Sequence, residues 1–230
     1  MKPFSNVQKT VSVLLKAVVI AGAFFGILLS ARASSNDFMG GKTLYMYFTI
    51  QSNIAIALLC LAGFYFLLRK KPVPGVWYVI KLVGTISITL TGTVFCFALA
   101  PVLGAGVWNP QNILTHVVVP LAAVADFFVT GVNSNLRKSS VFYVLIPPFA
   151  YVIYAGIAYA EGWRFSGGAK APYFFLDWGN PAGAFGFTKE FPFMGCVWWI
   201  SFAFLALLLI ALGYLKILDC IKKYNRKSVE

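Results

Sequence analysis

Six apolar runs divide this chain, at roughly 11–30, 45–68, 76–100, 113–132, 141–160 and 193–218. Each is near the length that lets a helix cross the hydrocarbon core of a bilayer, where every backbone polar group must be satisfied within the helix. The 230 residues are 60% hydrophobic and 11% charged, and soluble domains carry about 25% charged residues. Such a chain cannot cover its apolar surface with water-compatible groups. The expected fold is therefore all-α: a polytopic bundle of six transmembrane helices forming one domain over residues 1–230, with no room for a sizeable soluble module.

A formal net charge of +12 does not point to nucleic acid. The basic residues sit in short clusters between apolar runs, as topology signals and contacts to anionic headgroups do. They occupy the N-terminus, the turn Arg69-Lys70-Lys71-Pro72-Val73-Pro74-Gly75, the 133–140 loop with Arg137 and Lys138, and the tail with Lys222, Lys223, Arg226 and Lys227. The alternating segments 31–44 and 101–112 are poor in basic residues, and Gly104-Ala105-Gly106 reads as a loop turn. The positive-inside rule then puts both termini in the cytoplasm and the long 161–192 connection outside. A connection of that length usually serves as a lid, plug or binding element. Lys2, Lys9 and the ending Ala31-Arg32-Ala33 give the first run some likeness to a signal peptide. Lys16 inside the run and its full span length favour a retained first helix.

The informative residues are the polar ones at membrane depth. Thr49, Ser52 and Asn53 are spaced i, i+3, i+4 and share one helix face, which should point inward. They read either as interhelical glue or as part of a site. Thr85, Thr89 and Thr93 make a stripe on the third run. The fourth run holds the only histidine, His116, and also Asp126, a carboxylate that must be paired, protonated or solvated.

The second and fourth spans run in the same direction. Counted from the starts of their runs, Thr49 and His116 both lie roughly 5–6 Å below the same surface. A hydroxyl and an imidazole at equal depth can form a nucleophile–base pair if their faces meet. Asp126 lies about 15 Å along the helix from His116 and cannot complete a triad. Asp37, Glu161, Asp177 and Glu190 are the candidates to orient the imidazole, and Asn53 is a candidate donor to an oxyanion. Ser52, Asn53 and Asp126 are expected to line the polar part of the site. Cys60, Cys96, Cys196 and Cys220 form no CxxC and no metal spacing. No metal or cofactor is expected, and no protein partner is indicated.

Tyr47-Phe48-Thr49-Ile50-Gln51-Ser52-Asn53, and His116 with Pro120 one turn on, resemble the androgen-induced and androgen-dependent TFPI-regulating family of membrane hydrolases. The aromatic segment Pro172-Tyr173-Phe174-Phe175-Leu176-Asp177 is similar to bacterial members of that group. The resemblance implies six transmembrane helices in a bacterial inner membrane. It implies a threonine hydrolase of fatty acid esters of hydroxy fatty acids, with Thr49 as nucleophile and His116 as the essential histidine. Asn112 stands where animal members carry a further histidine, and the proline is one residue closer. Two other readings remain open. One is a small transporter or lipid-binding protein that uses Asp126 and a threonine-lined path. The other is a structural factor in which every polar group is glue. The topology predicts that single cysteines placed in the 161–192 segment react with a membrane-impermeant maleimide in intact cells, while cysteines at either terminus do not.

Overall fold

The structure, a computed structural model, describes residues 4–69, 73–132 and 134–227. Lys2, and Lys70, Lys71 and Pro72 of the expected basic turn, lie outside the described residues, as does Asn133 of the 133–140 loop. Among the described residues, six helices are long and apolar enough to cross a membrane: α1 (Asn6–Arg32), α2 (Phe48–Leu68), α3 (Gly75–Leu103), α4 (Pro110–Gly131), α5 (Lys138–Ala160) and α6 (Cys196–Asn225). They pack as one all-helical bundle, the arrangement of a multi-pass membrane protein. Among the described residues the only β pairing is an isolated bridge between Phe187 and Met194.

The ends of these helices follow from local chemistry. The Ser5 side chain accepts from the Gln8 amide and the Gln8 side chain accepts from the Ser5 amide, a capping box that starts α1. Asn109 caps α4, and Pro110 occupies its first turn, where a missing N–H costs nothing. That Asn-Pro pair sets the start of α4 at 110 rather than 113. Helix α2 begins at Phe48 rather than 45, because Gly41–Met46 winds as a 3₁₀ turn. The first part of α5, Lys138–Leu145, is also 3₁₀, and the α-helical part begins at Ile146 with prolines in its first turn.

Helices α1 to α4 form a ring in which α1 packs on α2 and α4, and α3 packs on the same two. Gly22 and Gly26 of α1 make the approach to α4 close. A Cβ at Gly22 would lie 2.9 Å from the Val119 side chain, and one at Gly26 would lie 2.6 Å from that of Thr115. Helices α5 and α6 pack on α3 and on each other. Val19, Ile56, Ile88 and Val119 fill the ring, and Leu82, Phe127, Val144 and Leu207 join it to α5 and α6.

Among the described residues, two helices carry a π turn, Phe95–Leu99 in α3 and Leu114–Val118 in α4. Each is followed two residues later by a proline, Pro101 and Pro120. A proline lacks the N–H that would bond the carbonyl four residues back, and its ring crowds that carbonyl. The turn before it widens instead, with Ala100 donating to the Phe95 carbonyl and Val119 to that of Leu114.

Asp126 sits far from both π turns. It is fully buried and pairs with two lysines: Lys16 of α1 at 2.6 Å and Lys81 of α3 at 2.6 Å. Ser12 donates to the same carboxylate at 2.6 Å, and Thr130 joins through Lys81. Each ammonium has three oxygen partners, so its donors are spent within the cluster. The expectation that Asp126 lines a site is therefore corrected. It ties α1, α3 and α4 together. Removing one partner of such a buried pair costs about 3–5 kcal/mol, because a charge is left uncompensated. Asp126→Ala is expected to lower the melting temperature in detergent sharply, while Thr49→Ala leaves it close to wild type, both read by a thermal-shift scan.

Candidate active site

The helix ends at Arg32, Phe48, Leu103, Pro110, Ala160 and Cys196 share one face of the bundle, and this face carries the long connection. Thr49 lies in the first turn of α2, and His116 lies in the π turn of α4. Thr49 Oγ1 and His116 Nε2 are 3.3 Å apart, and both residues are buried. The two faces, whose meeting the sequence left open, lie against each other, although the helices start elsewhere than the runs suggested. The pairing comes from side-by-side packing of α2 and α4 rather than from equal counts along each span.

The imidazole is oriented from behind. His116 Nδ1 lies 3.0 Å from the Asn112 carbonyl and 3.0 Å from Thr115 Oγ1. A carbonyl only accepts, so Nδ1 carries the proton and Nε2 presents a lone pair to Thr49 in the neutral ring. The carboxylate candidates are corrected, because a backbone carbonyl does the orienting. Asp37 accepts instead from the Ser34 amide and Asp177 from that of Gly179. Phe95, from the π turn of α3, stacks on the imidazole at 3.9 Å between centroids and 22° between planes.

Backbone proximity holds this ring in place. A Cβ at Gly92 of α3 would lie 2.7 Å from the His116 carbonyl and 3.2 Å from Pro120 side-chain atoms. Only glycine lets α3 approach the widened turn this closely.

The long connection supplies a residue that sequence reasoning did not single out. Tyr173 is buried, and its hydroxyl lies 3.5 Å from Thr49 Oγ1 and accepts from the Thr49 amide at 3.4 Å. Burial pushes the phenol up to about 12, so it remains a neutral donor across the neutral range. Its segment is pinned to the loop between α1 and α2. Gly167 donates to the Ser35 carbonyl at 2.9 Å, and Ser166 donates to the Tyr47 hydroxyl at 3.1 Å. Only the length of the connection and its aromatic content hinted at a cap, and neither points to one tyrosine.

Ser52 and Asn53 face inward but play other parts. The Ser52 hydroxyl bonds Thr91 of α3 at 2.7 Å. The Asn53 amide donates to the carbonyls of Thr49 at 2.8 Å and Thr115 at 3.1 Å. With both N–H groups committed, Asn53 is not the oxyanion donor; it fastens the Thr49 turn to the His116 turn. In the threonine stripe, Thr85 donates to the Lys81 carbonyl and Thr89 pairs with Tyr214.

Thr49 and Tyr173 open onto a cavity of about 460 Å³ bounded by α3, α5, α6 and the Tyr173 segment. Ser52, Asn53, His116 and Asp126 are absent from its walls. Phe97 of α3 and Phe202 of α6 line it while remaining 81% and 65% exposed, so it opens sideways between these two helices, towards lipid. Among the described residues no three His, Cys, Asp or Glu side chains gather as metal ligands.

Gly92→Val is expected to push α3 from the His116 turn and separate the pair. A displacement of about 1 Å can cost 10²-fold in rate. The measurement is the rate of labelling by a fluorophosphonate probe in protein shown to be folded. Comparison with protein-family models, with curated proteins and with solved structures finds no match to this chain.

Proposed function

We propose that this protein is an integral-membrane hydrolase of lipid esters with Thr49 as nucleophile and His116 as general base. The observation that carries the proposal is the 3.3 Å approach of Thr49 Oγ1 to His116 Nε2 at the wall of a lipid-facing apolar cavity. The resemblance of the Thr49 and His116 motifs to the androgen-induced and androgen-dependent TFPI-regulating hydrolases supports the same roles. It also supports a bacterial inner-membrane setting, and the positive-inside reading puts the site on the outer side.

An ester enters sideways between α3 and α6, and its carbonyl carbon comes to rest beside Thr49. Thr49 Oγ1 attacks that carbon while its proton passes to His116 Nε2. The carbonyl oxygen, now negative, inserts between the Thr49 amide and the Tyr173 hydroxyl. Both donate to it, and the positive end of the α2 dipole adds to the stabilisation. The intermediate collapses, the ester C–O bond breaks, and His116 returns the proton to the leaving alcohol. Water from the loop face then attacks the acyl-threonine and gives its proton to His116. Collapse breaks the bond between Thr49 Oγ1 and the acyl carbon, frees the acid, and His116 returns the proton to Thr49.

The Asn112 carbonyl keeps the Nδ1 proton in place and stabilises the imidazolium formed at each transfer. The alternative reading, a transporter, puts Asp126 on its path; that carboxylate is held by two lysines and does not line this cavity.

Thr49→Ala and His116→Ala are expected to abolish hydrolysis of a long-chain chromogenic ester by purified protein in detergent. Tyr173→Phe is expected to lower kcat about 10²–10³-fold, the usual cost of one oxyanion donor. Turnover by Thr49→Ala at the wild-type rate would overturn the assignment. A folded wild-type protein that binds esters without cleaving them would make it a lipid-binding protein.

A further inference from the structure

Among the described residues, the walls of the cavity carry no Asp, Glu, Lys, Arg or His side chain. Half of its six polar side chains are already engaged. Tyr151 donates to the Met46 carbonyl at 2.9 Å, Trp199 Nε1 donates to the Pro192 carbonyl at 3.1 Å, and Thr91 is bonded to Ser52. Apart from Thr93, the polar side chains left are Thr49 and Tyr173 themselves. A carboxylate or phosphate drawn into this space meets no cation and loses its water.

The nucleophile also sits partway along the cavity rather than at one end. The Ser52–Thr91 hydrogen bond fixes the register of α2 against α3. Thr49, one turn nearer the loop face than Ser52, is then level with Val94. The lining on α3 extends from Leu90 to Val102. That is about 6 Å towards the basic face and about 12 Å towards the loop face. On α6 it extends from Trp199 to Ile210, about 16 Å of helix axis. Hydrocarbon can be housed on both sides of a carbonyl held at Thr49.

We infer that the substrate is an uncharged lipid ester with hydrocarbon on both sides of its carbonyl, and that the cavity rejects esters whose chains carry an ionised group. This inference rests on the reading of Thr49 as nucleophile. It departs from what the family resemblance implies, since fatty acid esters of hydroxy fatty acids carry a free carboxylate.

The test uses the full chain in uncharged detergent and two esters of one long-chain acid. One has a plain long-chain alcohol, and the other has the same alcohol with a terminal carboxylate. The expected result is a kcat/KM at least tenfold higher for the uncharged ester. Equal values, or a preference for the carboxylate, would overturn the inference. Wild-type protein that is labelled at Thr49 by a fluorophosphonate yet cleaves neither ester also overturns it, while the nucleophile stands. Hydrolysis that survives Thr49→Ala overturns the nucleophile itself. Ala206→Trp, which narrows the cavity from α6, is expected to shift the preferred acyl chain to shorter lengths; an unchanged preference counts against the cavity as the acyl site.

Discussion

Pro120 has no backbone N–H to offer the carbonyl of His116, and its ring crowds that carbonyl. The site depends on this constraint. The preceding turn of α4 widens to a π turn, which carries the imidazole. The freed carbonyl faces Gly92, the one residue type that lets α3 come so near. Pro101 stands in the same relation to the widened turn of α3 that supplies Phe95. Two prolines thus set two irregular turns, and the rings of His116 and Phe95 stack where those turns meet. Irregular helical turns are costly in lipid unless protein covers them. Gly22 and Gly26 bring α1 against α4 on its other side.

The two polar centres of the bundle divide the work. Near the basic face, Lys16, Asp126 and Lys81 satisfy one another so fully that no donor is left for a ligand. Near the loop face, the Thr49 hydroxyl is held loosely, between His116 at 3.3 Å and Tyr173 at 3.5 Å. Contacts of that length are common in active sites that hold no substrate, and the proposed reaction requires them to tighten. The first centre holds the helices that position the second.

Much of this was legible in the sequence. Apolar run length gave the six helices, because the bilayer dictates that length. The i, i+3, i+4 spacing of Thr49, Ser52 and Asn53 gave an inward face, because a polar face is costly in lipid. The roles within that face were not legible. Whether Asn53 points its amide at a ligand or at two carbonyls depends on how α2 and α4 pack, which no spacing encodes. Lys16 and Lys81 were each a signal for Asp126, since a charge inside an apolar run needs an opposite one; what the sequence lacked was the register that brings three helices together. Tyr173 was hidden for another reason: a long connection has no periodicity from which to read the direction of a side chain. The start of α4 was written in Asn109-Pro110, a cap and a first-turn proline that hydropathy alone passes over.

The most direct test of the account is to locate the adduct that a fluorophosphonate probe leaves on the folded, purified protein, by mass spectrometry of its peptides. A threonine nucleophile served by a histidine base gives one adduct, on Thr49, lost in His116→Ala. An adduct on any other residue, or none on protein that retains its fold, would contradict it.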